Sequence, residues 1–155
     1  MAPVLPLPVP DPPVRPDVTA AVRRGASQLL LDHAYLPVWE FTLANGRRAD
    51  ICAVGPRGEI TIVEVKSSVE DFKADGKWPH YEPFCDSFYF AVPPGFPMQL
   101  LPEGPGVIVG DAFGAEIVRP APPHSLAGAR RKAVTLAFAR HAAARGAACM
   151  LGRPG

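Results

Sequence analysis

Two turn signals in the first half of the chain constrain the fold most, because each lies between runs of alternating apolar and polar residues. The first is Asn45-Gly46, which separates residues 38–44 from residues 47–54. The second is the Gly-Pro-Arg-Gly segment at 55–58, which leads into residues 59–67. Turns of this kind join neighbouring antiparallel strands. The chain is therefore predicted to contain a three-strand antiparallel meander.

Helices and further strands are expected around this meander. A first helix should begin after an N-cap at Asp17 and end before Pro37, since proline cannot continue a helix. The other expected elements are a short helix at 69–75, strands at 87–93, 106–112 and 115–121, and an Ala-rich helix from about Ser125 to Ala144. This order predicts an α/β domain built on one mixed sheet with helices beside it.

The length of 155 residues suits one domain, which we place at residues 17–150. Residues 1–16 hold seven prolines and are expected to form a flexible, polyproline-like leader, with a PxxP-type ligand as the alternative. Residues 151–155 are expected to be a flexible C-terminus. No apolar run is long enough for a membrane span, and three scattered cysteines suit reduced thiols. A cytoplasmic, nucleoid-associated protein is expected.

The charge balance limits how the chain can bind nucleic acid. Lys and Arg total 16 and Asp and Glu total 15, so the formal net charge is +1. This excludes binding through bulk positive charge and leaves room for a local basic face.

Three charged residues are predicted to meet on one face of the meander. If the second turn has residues 56–58 as its loop, Asp50 lies directly opposite Glu64, and opposed residues share a sheet face. Lys66 follows Glu64 by two positions and therefore shares that face. Ile51, Val63 and Val65 should then point the other way, into the core.

Two opposed carboxylates repel each other, and burying them is costly without compensation. A hard divalent cation, Mg²⁺ or Mn²⁺, would compensate if Asp50 and Glu64 were its ligands. Lys66 could then orient the attacking water or stabilise charge on a phosphate. The alternative is a solvated Glu-x-Lys surface pair, which the apolar flanks of this strand make less favourable.

Asp50 followed by Glu64-Val65-Lys66 on the next strand resembles the motif of the PD-(D/E)xK nuclease superfamily, with Ala49 in place of its proline. The resemblance implies a restriction-endonuclease-like fold, metal binding by the two acids and a water-assisting lysine. Members often add an acidic residue from the first core helix, where this chain has acids only near the helix ends. Glu40 is the substitute candidate, provided that the first turn has a three-residue loop.

Five blocks in order narrow this resemblance. They are GRRADI, IVEVKSS, DFKADGKWPHY, FCDSFYFAV and ARRKAVTLAFAR, within residues 38–145. Together they resemble the bacterial MmcB-like DNA-repair family. The resemblance implies a link to DNA repair and no settled substrate or reaction.

Basic and aromatic residues around this site are candidate DNA contacts. They are Arg47, Arg48, Lys73, Lys77, Trp78, Arg130 and Arg131. Trp78 or Tyr81 could stack on an unpaired base, or Trp78 could close the core. The Arg130-Arg131 pair could contact the DNA backbone or form a salt bridge to Asp71 or Glu82.

Two functions remain in competition. One is a metal-dependent DNA nuclease in repair, and the other is a non-catalytic module that binds DNA or a repair partner on the same fold. Two cuts on a duplex would suit a homodimer.

Overall fold

A six-stranded sheet organises the part of the chain that the structure, a computed structural model, describes: residues 17–74 and 76–154. The helices are α1 (Val18–Asp32), α2 (Val69–Ala74) and α3 (Gly128–Met150). The strands are β1 (Leu36–Thr42), β2 (Arg48–Val54), β3 (Ile60–Val65), β4 (Ser87–Val92), β5 (Gly106–Asp111) and β6 (Gly114–Arg119). Short 3₁₀ turns cover Trp78–His80, Glu82–Phe84 and Met98–Leu100.

The strands lie in sequence order across the sheet. β1, β2 and β3 pair antiparallel, β3, β4 and β5 pair parallel, and β6 returns antiparallel to β5. α1 covers one face through Val22, Ala26 and Leu30, and α3 reaches the other through Val134 and Phe138. The predicted α/β class, the mixed sheet and the three-strand meander are confirmed.

Both predicted hairpins have three-residue loops. The Leu43 amide donates to the Arg47 carbonyl at 2.7 Å, which pairs Phe41 with Ala49. The Gly55 amide donates to the Glu59 carbonyl at 2.8 Å, so residues 56–58 form the second loop as predicted. Gly58 takes φ +90°, the left-handed conformation that closes such a loop.

α1 begins and packs as its sequence suggests. The Asp17 carboxylate accepts a hydrogen bond from the Ala20 amide at 3.0 Å, which confirms the predicted N-cap. Gly25, unusual in mid-helix, lies where α1 touches the β5–β6 hairpin. A Cβ there would collide with the carbonyl oxygens of Asp111 and Gly114, so the packing requires glycine.

The predicted bounds of the last helix were wrong at both ends, because α3 runs from Gly128 to Met150. Its start is delayed because the preceding segment is tied to Asp86, whose carboxylate accepts from the Leu126 amide. Its end is later because the Ala-rich sequence outweighs the cost of Gly146. No helix in the described residues is long and apolar enough to cross a membrane. The predicted leader at residues 1–16 lies outside the described residues.

The cysteines match their predicted role as thiols. Cys52 and Cys85 are buried in the core and Cys149 is exposed, all in the free form. Burial raises the pKa of the Cys52 thiol to about 12, so this group stays protonated and unreactive.

Candidate active site

The side chains of Asp50 and Glu64 each accept a hydrogen bond from the backbone of the opposite strand, between β2 and β3. The Asp50 amide donates to the Glu64 carboxylate at 3.0 Å, and the Val65 amide donates to the Asp50 carboxylate at 2.8 Å. The regular ladder between these strands ends one position earlier, at Ile51 and Val63. Each side chain therefore binds the backbone of the opposite strand, and the two carboxylates lie at the same point of the sheet.

The backbone is irregular at this point. Ala49 packs in the core cluster beneath α3, whereas Ile51, two positions later, packs in the cluster beneath α1. A regular strand would place both side chains on one face of the sheet. The side chains of β2 therefore switch from one sheet face to the other around Asp50. On β1, Glu40 has φ +55°, which is rare for a residue with a side chain. Such irregularities often redirect a side chain next to a functional site.

Glu64 and Lys66 are buried polar residues on or just after a central strand. Each is only 5% exposed, and every residue of β3 is buried. The Lys66 amide donates to the Ala91 carbonyl at 2.9 Å, which holds the end of β3 against β4. Burial of charged groups costs several kcal/mol unless partners compensate, so their presence here suggests a function rather than a contribution to folding. Val63 and Val65 point into the α1 cluster, as predicted.

The environment of Asp50 disfavours its ionised form. Burial raises the pKa of this carboxyl above its usual value, although the hydrogen bond from Val65 and the charges of Lys66 and Arg23 act in the opposite direction. A group whose folded pKa is raised lowers the stability of the fold at neutral pH. This penalty is relieved as the pH falls through the folded pKa.

Asp50→Asn is therefore expected to stabilise the protein in EDTA at pH 7, raising the melting temperature by about 2–4 °C. Asparagine retains an acceptor for the Val65 amide and removes the buried charge. The difference from wild type should shrink as the pH falls toward about 4, because the folded carboxyl takes up its proton at a higher pH than the unfolded one. Glu103→Gln, which removes an acidic charge from an exposed loop, is the control and should show no such gain. An Asp50→Asn variant less stable than wild type at pH 7 would contradict this account.

Glu40 lies level with Asp50 on the neighbouring strand, but its carboxylate faces the guanidinium of Arg23. The three-residue turn brings it level with Asp50, as the predicted condition required. Its carboxylate lies 4.0 Å from Nη1 of Arg23 and is 49% exposed. Sequence reasoning missed Arg23, which α1 places against Glu40. The available signal was its place beside Val22, at the edge of the apolar stripe of α1.

The donor set at this site fits a hard divalent cation. Asp50 and Glu64 offer carboxylate oxygens, and Mg²⁺ commonly binds one or two carboxylates together with waters and phosphate oxygens. Oδ2 of Asp50 accepts the hydrogen bond from the Val65 amide. Within those residues there is no group of three or more His, Cys, Asp or Glu side chains that could hold a metal. A cation here would therefore depend on two protein ligands.

Comparison with known proteins places the chain in a family. A family model described as DNA repair protein MmcB-like matches residues 9–151. The chain belongs to the MmcB-like family. A solved structure, titled as a protein of unknown function from Silicibacter pomeroyi, is similar to this MmcB-like chain, with a TM-score of 0.83 and 44% identity. The alignment covers 86% of this chain and 92% of that one. No curated protein matches.

Four of the predicted DNA contacts of this MmcB-like protein are exposed or partly exposed to solvent. Arg48, Lys73 and Lys77 are exposed. Arg47 is half-buried, and its Nε lies 3.0 Å from Nδ1 of His80. Their role in DNA binding stays a prediction.

The other three predicted DNA contacts make packing or ionic interactions within the MmcB-like fold. Trp78 stacks on Phe88 with ring centroids 6.0 Å apart, which favours its alternative role in closing the core. The guanidinium of Arg130 lies 4.4 Å from the centre of the Phe84 ring. Arg131 forms a salt bridge with Asp86, so the partners considered from the sequence, Asp71 and Glu82, were wrong.

Proposed function

We propose that this MmcB-like protein is a divalent-metal-dependent DNA nuclease that hydrolyses phosphodiester bonds during DNA repair. One observation carries the proposal: the reciprocal hydrogen bonds between β2 and β3 bring Asp50 and Glu64 together beside a buried Lys66. A fold has little structural reason to bury this set in a central strand. The family description, DNA repair protein MmcB-like, supports DNA as the substrate.

Each of the three residues has a distinct role in this proposal. Asp50 and Glu64 would hold Mg²⁺ or Mn²⁺, and a bound cation would stabilise the negative charge that develops on the phosphate. Lys66 orients the attacking water and adds positive charge near the phosphate oxygens. The water oxygen bonds to phosphorus and loses a proton to solvent as the bond to one sugar oxygen breaks. The leaving oxygen takes up a proton from solvent, so the products are a phosphate monoester and a free hydroxyl. This function requires access to nucleoid DNA in the cytoplasm.

The test is a gel series with purified protein on single-stranded, duplex and branched DNA, each in EDTA, Mg²⁺ or Mn²⁺. We expect products only with metal from wild type, and none from Lys66→Ala. Lys132→Ala, an exposed lysine on α3, is the matched control and should cleave like wild type. Products that persist in EDTA or in Lys66→Ala would contradict the proposal.

A non-catalytic module that binds DNA or a repair partner is the second candidate. The observation that favours it is that Glu40, the candidate third acid, faces the cation Arg23 of α1. Metal-dependent stabilisation separates the two candidates. A nuclease should gain melting temperature in Mg²⁺ or Mn²⁺ and lose that gain in Asp50→Asn, whereas a module with no use for metal should show no gain.

A further inference from the structure

Arg23 has an unusual environment where α1 meets β1, since it contacts both Trp39 and Glu40 of that strand. Its guanidinium carbon lies 4.3 Å from the centre of the Trp39 ring, so the side chain is held against an aromatic surface. Trp39 is fixed in turn, since its Nε1 donates to the Ser27 hydroxyl at 2.8 Å. The charge of Arg23 also acts on Asp50. A positioned cation therefore lies at Glu40, the β1 residue that is level with Asp50 of the candidate site.

Within residues 17–74 and 76–154, the hydrogen-bonding capacity of Arg23 is almost unused. Its Nε is buried and has no hydrogen-bond partner among the described residues. Its contact with Glu40 is 4.0 Å long, beyond hydrogen-bond distance, and Glu40 is half exposed. The Arg23 side chain is itself 25% exposed. A buried donor without an acceptor destabilises the fold, so this arrangement favours a binding role over a purely structural one.

We propose that Arg23, held on Trp39, is a phosphate-binding subsite for the DNA strand that enters the candidate active site. The proposal rests on the proposed function, because it takes the same DNA as its ligand. A guanidinium presents paired donors that match two phosphate oxygens, and its stacking on an aromatic ring lowers the entropy lost on binding. Arg23 would bind a backbone phosphate beside the one that is cleaved.

This subsite explains two features that sequence reasoning left open. The first helix carries a cation at the site because that cation contacts the substrate. An aromatic and a basic residue also lie together here, on α1 and β1. Trp78, the aromatic expected near the DNA, is instead stacked on Phe88.

The test measures DNA binding in EDTA, so that cleavage plays no part. Fluorescein-labelled 20-nucleotide single strands and duplexes are titrated with wild type, Arg23→Gln and Arg24→Gln over a series of salt concentrations. Glutamine keeps part of the side chain over Trp39 and removes the charge. We expect Arg23→Gln to weaken binding about tenfold and to reduce the salt slope by about one. Arg24→Gln is the matched control, one residue away and exposed, and should bind like wild type.

The thermal stability of Arg23→Gln separates a structural role of Arg23 from a role in binding. If Arg23→Gln lowers the melting temperature but keeps the wild-type affinity and salt slope, Arg23 is structural and the inference is overturned. Arg23→Lys should recover the salt slope with only part of the affinity, because lysine restores the charge without the planar donors. Wild type that binds but never cleaves, with binding lost in Arg23→Gln, would support the subsite and reject the nuclease. Cleavage that is equal in wild type and Arg23→Gln, with equal binding, would reject the subsite alone.

Discussion

Glu64→Gln is expected to reduce metal-dependent cleavage by more than about 100-fold while leaving the fold intact. The glutamine oxygen can still accept the hydrogen bond from the Asp50 amide, which is 3.0 Å long in wild type. What the substitution removes is a negative charge from the predicted metal site. Initial rates on the best DNA substrate, measured over a range of Mg²⁺ concentrations, would show the loss. The rise in melting temperature with Mg²⁺ should be lost in the same variant.

The control for this prediction is Glu70→Gln on α2, an exposed glutamate that makes the same chemical change outside the site. It should retain the wild-type rate and the wild-type response to metal. If Glu64→Gln cleaves DNA at the rate of the Glu70→Gln control, Glu64 is not part of the machinery and the proposed site is wrong.

Asp86→Ala is expected to lower the free energy of unfolding by about 2–4 kcal/mol. The Asp86 carboxylate lies where β3, β4 and the start of α3 meet. It accepts hydrogen bonds from the Ile60 amide at 2.7 Å, from the Leu126 amide at 3.3 Å and from both terminal nitrogens of Arg131. Alanine leaves these donors without their acceptor. Urea denaturation followed by circular dichroism measures the loss, and Lys132→Ala on the exposed side of α3 should change stability by less than about 0.5 kcal/mol.

The Asp86 carboxylate should also make the stability of the protein depend on pH in the acid range. Burial alone would raise the pKa of Asp86, but the hydrogen bonds from Arg131, Ile60 and Leu126 outweigh it and hold the pKa below the usual value. Its stabilising contribution is then complete above about pH 4 and is lost as the pH falls through the folded pKa. The stability difference between wild type and Asp86→Ala should therefore narrow below about pH 4. A difference that is constant from pH 7 to pH 3 would show that the charge of Asp86 does not matter.

Much of the fold could be predicted because its strongest signals are local. Asn45-Gly46 and the turn at residues 55–58 specify hairpins through the conformations that their own residues allow. The position of Asp50 opposite Glu64 then follows by counting five residues back along β2 from Gly55 and five forward along β3 from Glu59. The limits of α3 depend on interactions that no local pattern contains, since Asp86 and Leu126 are 40 residues apart. The parallel pairing of β3 with β4 likewise depends on the whole sheet.

In the candidate site, too, some features follow from local sequence and others depend on contacts between distant elements. Asp50, Glu64 and Lys66 come together because a sheet has a side-chain period of two, which can be read from spacing. The change of facing between Ala49 and Ile51 and the positive φ of Glu40 could not be predicted, because each depends on packing from both faces. Arg23 was missed for a related reason. Its partner surface, Trp39, lies on a different element, and helix periodicity alone does not show what a helix faces.

The three-residue loop at residues 56–58 has a consequence for insertions and deletions in this family. Because side chains alternate along a strand, removing one residue from this loop would shift the pairing of β2 with β3 by one position. Glu64 and Lys66 could then no longer share a face with Asp50, although the hairpin itself could still form. Removing or adding two residues would preserve the alternation. Chains with an odd number of residues in this loop can therefore assemble the three charged groups. Chains with an even number would keep only the shape of the sheet.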